Sequence, residues 1–145
     1  MILFSSALEL EVNKINIMNN LIVDAARDKI FLTLIITKNI YTCSYENSKS
    51  NFQKLMVLIN EFLKDKKSSL DDLDVIYVNR GPGSFAGVRN SLATIKAIFM
   101  TKKIDYYCFS FEDFNEFYAS KYEDVPKLCK KFKIKKNLIN PNYLN

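Results

Sequence analysis

Histidine and tryptophan are absent from this 145-residue chain, and glycine, proline and cysteine occur only three times each. The missing histidine removes whole classes of chemistry: Ser-His-Asp triads, Cys-His pairs, histidine-ligated metals and imidazole acid–base catalysis cannot be assembled from these residues. Cys43, Cys108 and Cys129 are odd in number and share no C-x-x-C spacing, so they read as reduced thiols and not as a disulfide framework or a zinc site. No apolar run reaches 18 residues, which leaves no candidate membrane helix. Met1 to Leu10 is apolar but has no basic n-region, which argues against a secretory signal and for a cytoplasmic location.

What is present describes one folded domain. A hydrophobic content of 48% with 26% charged residues is ordinary for a globular chain of this length. The formal charge of +5 is unevenly placed: Lys121, Lys127, Lys130, Lys131, Lys133, Lys135 and Lys136 face only Glu123 and Asp124 after residue 120, and everything before is neutral overall. A basic tail on a neutral body suits a phosphate backbone or an acidic partner; an A/T-rich coding bias toward lysine is the bland alternative.

All three glycines fall in one stretch, Gly81-Pro82-Gly83-Ser84-Phe85-Ala86-Gly87, bracketed by Arg80 and Arg89. Upstream, residues 73–79 read as a buried strand; downstream, Val88, Leu92, Ile95 and Phe99 recur at helical spacing over 84–101. Ser84 is placed to cap that helix, so the loop offers either anion binding at free N–H groups or close packing of backbone on backbone. It is not a Walker A loop, because Val88-Arg89 follow the last glycine where Lys-Ser/Thr is needed. Nor is it the dinucleotide fingerprint, since its glycine spacing is one residue too long.

The remaining elements follow from periodicity. Residues 21–26 form a short apolar strand with Asp24 near its end, 30–37 and 40–44 form a hairpin around Lys38-Asn39, and 106–109 form a last strand. Helical spacing runs through 51–64 and again after Ser110, where Phe111, Phe114 and Phe117 supply an apolar side. Asp71, Asp72 and Asp74 read as cap and turn residues, lacking the spacing of a calcium loop. On the 84–101 helix, Gly87, Ser91, Thr94 and Ile98 make a second stripe of mostly small residues, which lets another helix approach, from this chain or from a partner. Leu55, Met56 and Ile59 likewise exceed what one core-facing stripe needs.

Asn79-Arg80-Gly81-Pro82-Gly83-Ser84-Phe85-Ala86-Gly87-Val88-Arg89, with Leu92-Ala93-Thr94-Ile95-Lys96 after it, strongly resembles the signature of the bacterial TsaB (YeaZ) family, in which Ala86 is usually threonine. The resemblance extends from about Leu21 to Phe117 and returns at the Pro141-Asn142-Tyr143-Leu144 ending. It implies an α/β fold, a ribonuclease-H-like or actin/Hsp70-like ATPase lobe whose mixed five-stranded sheet has three antiparallel strands, then two parallel ones, flanked by helices. The implied organisation is an unmatched segment 1–20, with Met18 as an alternative start; a first lobe 21–120; and a lysine-rich tail 121–145 where relatives continue into a second lobe.

The resemblance also implies a role: a non-catalytic scaffold in threonylcarbamoyladenosine modification of tRNA adenosine 37. The implied partners are a TsaD-like catalytic transferase subunit, a TsaE-like ATPase subunit and, indirectly or through the basic tail, tRNA; ATP and Mg²⁺ enter only with the complex. The glycine-loop residues are then Arg80, Gly81, Pro82, Gly83, Ser84, Phe85, Gly87 and Arg89, and the partner-facing set is Leu55, Met56, Ile59, Gly87, Ser91, Thr94 and Ile98. Asp24 stands where the wider superfamily holds phosphate and Mg²⁺, although Ala25 and Ala26 replace two hydroxyl residues there. Two alternatives are a Mg²⁺-dependent nuclease or ATPase using Asp24, with Glu46 and Asp105 as distant helpers, and a stand-alone homodimer.

Overall fold

The computed structural model describes residues 18–114 and 121–143. Five strands, β1 (Asn20–Asp24), β2 (Lys29–Ile36), β3 (Asn39–Glu46), β4 (Val75–Asn79) and β5 (Asp105–Phe109), form one sheet in the order β3-β2-β1-β4-β5. β1, β2 and β3 pair antiparallel, whereas β4 joins β1 and β5 joins β4 in parallel. This is the mixed sheet expected above. The two central strands, β1 and β4, are buried at all five of their positions. Both faces of the sheet are therefore covered, which is why these strands read as continuous apolar runs and not as alternating ones.

One face packs against helices α1 (Lys49–Gln53), α2 (Leu55–Asp65) and α3 (Phe85–Lys102). Leu21, Val23, Ile76 and Val78 from the strands meet Leu55, Ile59, Leu63, Val88, Leu92 and Ile95 from the helices in the larger of two core clusters. Ser48 opens α1 by accepting the Asn51 amide at 3.2 Å, and the helical stretch is interrupted at Lys54, where one continuous helix was expected. Lys103 ends α3 in the left-handed region, its amide closing on the Phe99 carbonyl. Asp72 accepts the Ser69 amide at 2.9 Å and so caps its turn as expected, whereas Asp74 accepts the Asn19 amide at 2.8 Å, a long-range tie to the residue before β1.

The opposite face is covered by the C-terminal segment. After a short helix α4 (Val125–Lys131), the chain turns back beneath β5. Val125, Leu128 and Cys129 pack on Ile22, Val75, Tyr77 and Phe109 to form the second core cluster. Lys136 bridges to Tyr107, and Asn137 donates its amide to the Tyr106 carbonyl at 2.8 Å while its Oδ1 accepts the Tyr106 amide at 2.8 Å, which closes the exposed edge of β5. The lysine-rich tail is thus part of the folded body. The helix expected after Ser110 is, within the described residues, a single 3-10 turn, Phe111–Asp113, with Ser110 and Asp113 capping each other; Phe117 lies outside the described residues.

Candidate functional site

Two features converge at the C-terminal ends of β1 and β4: the Asp24 carboxylate and the glycine loop. Asp24 is fully buried. Its Oδ1 accepts the Ala26 amide at 3.0 Å, as a strand-end turn carboxylate does, and its Oδ2 accepts the Tyr122 hydroxyl at 2.7 Å. Arg27 adds an ion pair, Nε to Oδ2 at 3.2 Å, and its guanidinium lies over Phe111 at 4.8 Å and Tyr122 at 5.6 Å. Burial first, and the neighbouring Asp24 charge second, push the Tyr122 phenol well above its ordinary pKa, which keeps it a donor. The buried charge is therefore compensated by three donors from this chain.

The loop is filled by backbone. The Ser84 amide donates to the Ala26 carbonyl at 2.9 Å, which draws the end of β1 over the loop. A Cβ on Gly83 would collide with the Ala26 carbonyl oxygen, and one on Gly87 would collide with the Ala25 carbonyl oxygen and press on the Phe52 ring. Those two glycines are needed because two chain segments touch at backbone distance. Of the two roles open to this loop, close packing is the one it performs here.

Other loop groups are engaged as well. Asn79 Oδ1 accepts the Gly81 amide at 2.9 Å, the Arg80 amide donates to the Phe109 carbonyl at 2.6 Å, and Ser84 Oγ caps α3 by accepting the Gly87 amide at 3.1 Å. Arg80 points away from the loop mouth: it grips Asp113 at two points, Nη2 to Oδ1 at 2.5 Å and Nε to Oδ2 at 3.2 Å, and donates to the Asn140 carbonyl at 3.3 Å. The Asn142 amide returns to the Arg80 carbonyl at 2.7 Å. Arg89 remains outside, its guanidinium 6.0 Å from the exposed Phe85 ring, which also meets Tyr143 at 4.8 Å. Pro82 sits half-buried between the glycines.

The seven residues expected to face a partner divide differently. Leu55, Ile59, Gly87, Ser91 and Ile98 are buried within this chain, and only Met56 and Thr94 are partly exposed. The reason is local: α3 packs on the sheet beside the α1–α2 pair, so its stripe of small residues admits a helix of its own chain. Gly87 faces Phe52 of α1, and Ser91 returns its hydroxyl proton to the Val88 carbonyl at 3.0 Å. The outer surface of α2 and α3 instead carries Val57 at 50% exposure, Phe85 at 57% and Met100 at 62%, with Ala86, Ala93 and Ala97 between. A groove of about 460 Å³ opens at one end of it, lined by Phe52, Phe85, Lys49 and Arg89.

Residues that sequence reasoning did not single out carry much of this site. Tyr122, Asn140 and Asn142 lie in the lysine-rich segment; Asn142 falls in the Pro141–Leu144 ending, but nothing in that ending marks its bond to Arg80, and no motif marks Tyr122. Of the two distant helpers of a catalytic Asp24, Asp105 lies at the opposite edge of the sheet, where it accepts from Asn137 at 2.9 Å and pairs with Lys136 at 3.7 Å; Glu46 ends β3 at the same edge as Asp24, two strands away, with its side chain exposed. Among the described residues no group of three or more Cys, Asp or Glu is placed to hold a metal ion, and none of the described helices is long and apolar enough to cross a membrane.

Comparison with known proteins places this architecture. A family model described as TsaD, tRNA N6-adenosine threonylcarbamoyltransferase, matches residues 45–110. The tRNA threonylcarbamoyladenosine biosynthesis protein TsaB of Buchnera aphidicola subsp. Baizongia pistaciae (strain Bp) is 38% identical over 63 residues, covering 37% of this chain and 28% of the relative. TsaB of Buchnera aphidicola subsp. Schizaphis graminum (strain Sg) is 29% identical over 84 residues, covering 58% and 40%. Among solved structures, YeaZ from Pseudomonas aeruginosa superposes with a TM-score of 0.59 at 19% identity over 64% of this chain and 44% of that one, a likeness of fold. The matched part spans less than half the length of these relatives. With the glycine loop, the sheet order and these matches in agreement, the chain is similar to TsaB/YeaZ family proteins in its matched segment and in fold.

Proposed function

We propose that this chain is a non-catalytic subunit in the threonylcarbamoyladenosine modification of tRNA, and that it pairs with the catalytic transferase subunit through the outer surface of α2 and α3. The observation that carries the non-catalytic part is the state of Asp24. The Asp24 carboxylate is buried and held by the Ala26 amide, Tyr122 and Arg27. A catalytic carboxylate in two-metal chemistry needs further carboxylates converging on the same point. Support for pairing comes from Val57, Phe85 and Met100, large apolar side chains exposed along two adjacent helices. The ATPase subunit and tRNA would join at the level of that complex, as would ATP and Mg²⁺.

The test is co-expression with the transferase subunit of the same genome, followed by size-exclusion chromatography with light scattering. A one-to-one complex is expected, lost in Val57→Glu and Met100→Glu while both variants melt as the parent does. Leu55 and Ser91 are unsuitable for this purpose, because a charge at either buried position would unfold the chain. A homodimer that ignores the transferase would overturn the pairing. Mg²⁺-dependent ATP or RNA hydrolysis that disappears in Asp24→Asn would overturn the non-catalytic assignment.

A further inference from the structure

The lysines of the C-terminal segment are not scattered by folding. α4 buries Val125, Pro126, Leu128 and Cys129 against the sheet, and this turns Lys127, Lys130 and Lys131 outward; Lys133, Lys135 and Lys136 follow on the same exposed segment. The excess positive charge of the whole chain is thereby laid over one face, opposite the face that carries α2 and α3. Between this segment and the β4–β5 edge runs a groove of about 510 Å³. Tyr77 and Tyr107, stacked at 5.3 Å and 11°, line it together with Lys130, Lys133 and Lys136. Its carboxylate, Asp105, is already neutralised locally by Asn137 and Lys136.

We infer that this face is a docking surface for RNA, with the lysines following the phosphate backbone and the tyrosine-lined groove receiving an unpaired nucleotide. Basic side chains that follow a backbone, with aromatic rings between them for bases, are the combination that single-stranded nucleic acid requires. The groove volume falls within the range of small-molecule pockets, roughly 300–1,000 Å³. The choice of RNA over another polyanion rests on the modification role proposed above. The surface itself does not, since it lies across the sheet from the proposed transferase contact.

The experiment uses the full chain alone and a fluorescein-labelled RNA hairpin with a seven-nucleotide loop, read by anisotropy between 50 and 300 mM KCl. Binding is expected to weaken steeply with salt. Lys127→Gln, Lys133→Gln and Lys135→Gln combined should lower the log–log salt slope by about 2, near 0.7 per lost phosphate contact. Tyr107→Ala should weaken binding about tenfold with the slope unchanged, and Tyr107→Phe should restore it, which separates base stacking from a general loss of fold. Absence of binding at 50 mM KCl overturns the inference. So does equal affinity for poly-glutamate with no dependence on Tyr107, which would make the face a site for an acidic protein. Because no transferase is present, failure here leaves the pairing experiment standing, and the triple variant should still enter the transferase complex.

Discussion

The Tyr122 hydroxyl donates to Oδ2 of Asp24 at 2.7 Å across 98 residues of sequence, tying the C-terminal segment to the end of the first strand. Asp24 has no exposed surface, so a donor lost there cannot be replaced freely by water. Tyr122→Phe keeps the ring against Phe31 and Phe111 and removes only the proton. It is expected to cost about 1.5–3 kcal/mol, the range for hydrogen bonds to charged groups. Urea unfolding at pH 7 measures it, and a midpoint within error of the parent would mean that Asp24 is satisfied without Tyr122.

Gly87 puts two effects in opposition. Within a helix, glycine to alanine gains about 1 kcal/mol from propensity. At Gly87 the added methyl would meet the Ala25 carbonyl and the Phe52 ring, and overpacking of a tight contact costs about 1–3 kcal/mol or more. The steric term should win because the obstructing atom is backbone, which cannot rotate away. Gly87→Ala is therefore expected to lower the urea midpoint, and a rise would disprove the close approach of β1 and α3.

The contrast between these two positions shows what the sequence made legible. The glycine loop was readable because glycine and proline are scarce here and their clustering has few physical causes. The strands were readable because β1 and β4, covered on both faces, are apolar without interruption. A stripe of small residues marks close helix packing without saying whose helix arrives; at Gly87 and Ser91 the neighbours are helices of this chain, which is why five of the seven expected partner-facing residues are buried within it. Tyr122 and Asn142 were invisible for another reason. Their partners lie 98 and 62 positions away, Asp24 and Arg80, and nothing in a run of lysines encodes a contact at that separation. Burial of one side of α4 was likewise hidden, since it is only seven residues long.

Stability should fall at alkaline pH. Burial pushes the Cys108 thiol up to about 11 from an ordinary value of 9.0, so the folded chain holds this proton more tightly than the unfolded chain does. The contribution is complete below about pH 9 and is lost as pH rises toward 11, on the order of 2 kcal/mol in total. Cys129, Tyr77 and Tyr122 are pushed in the same direction, also chiefly by burial, so the decline has more than one source. Urea midpoints at pH 7, 9, 10 and 11 should decline in the parent and decline less in Cys108→Ala. Parallel curves would show that Cys108 takes no part.

The lysine-rich segment is expected to be indispensable to the fold. Leu128 is buried on the sheet beside Val125 and Cys129, and its neighbour Lys127 is exposed. Leu128→Ala should cost about 2–5 kcal/mol through lost burial and the cavity left behind, whereas Lys127→Ala should stay within about 0.5 kcal/mol. A chain ending at residue 120 would uncover Ile22, Val75, Tyr77 and Phe109 together and lose the Tyr122 donor to Asp24. It should bind a hydrophobic dye and fail to give a cooperative urea transition. If the shortened chain instead unfolded with the parent's midpoint, the second core cluster would contribute nothing to stability. The segment would then be a passenger on the sheet, and its charge would be the sole reason to retain it.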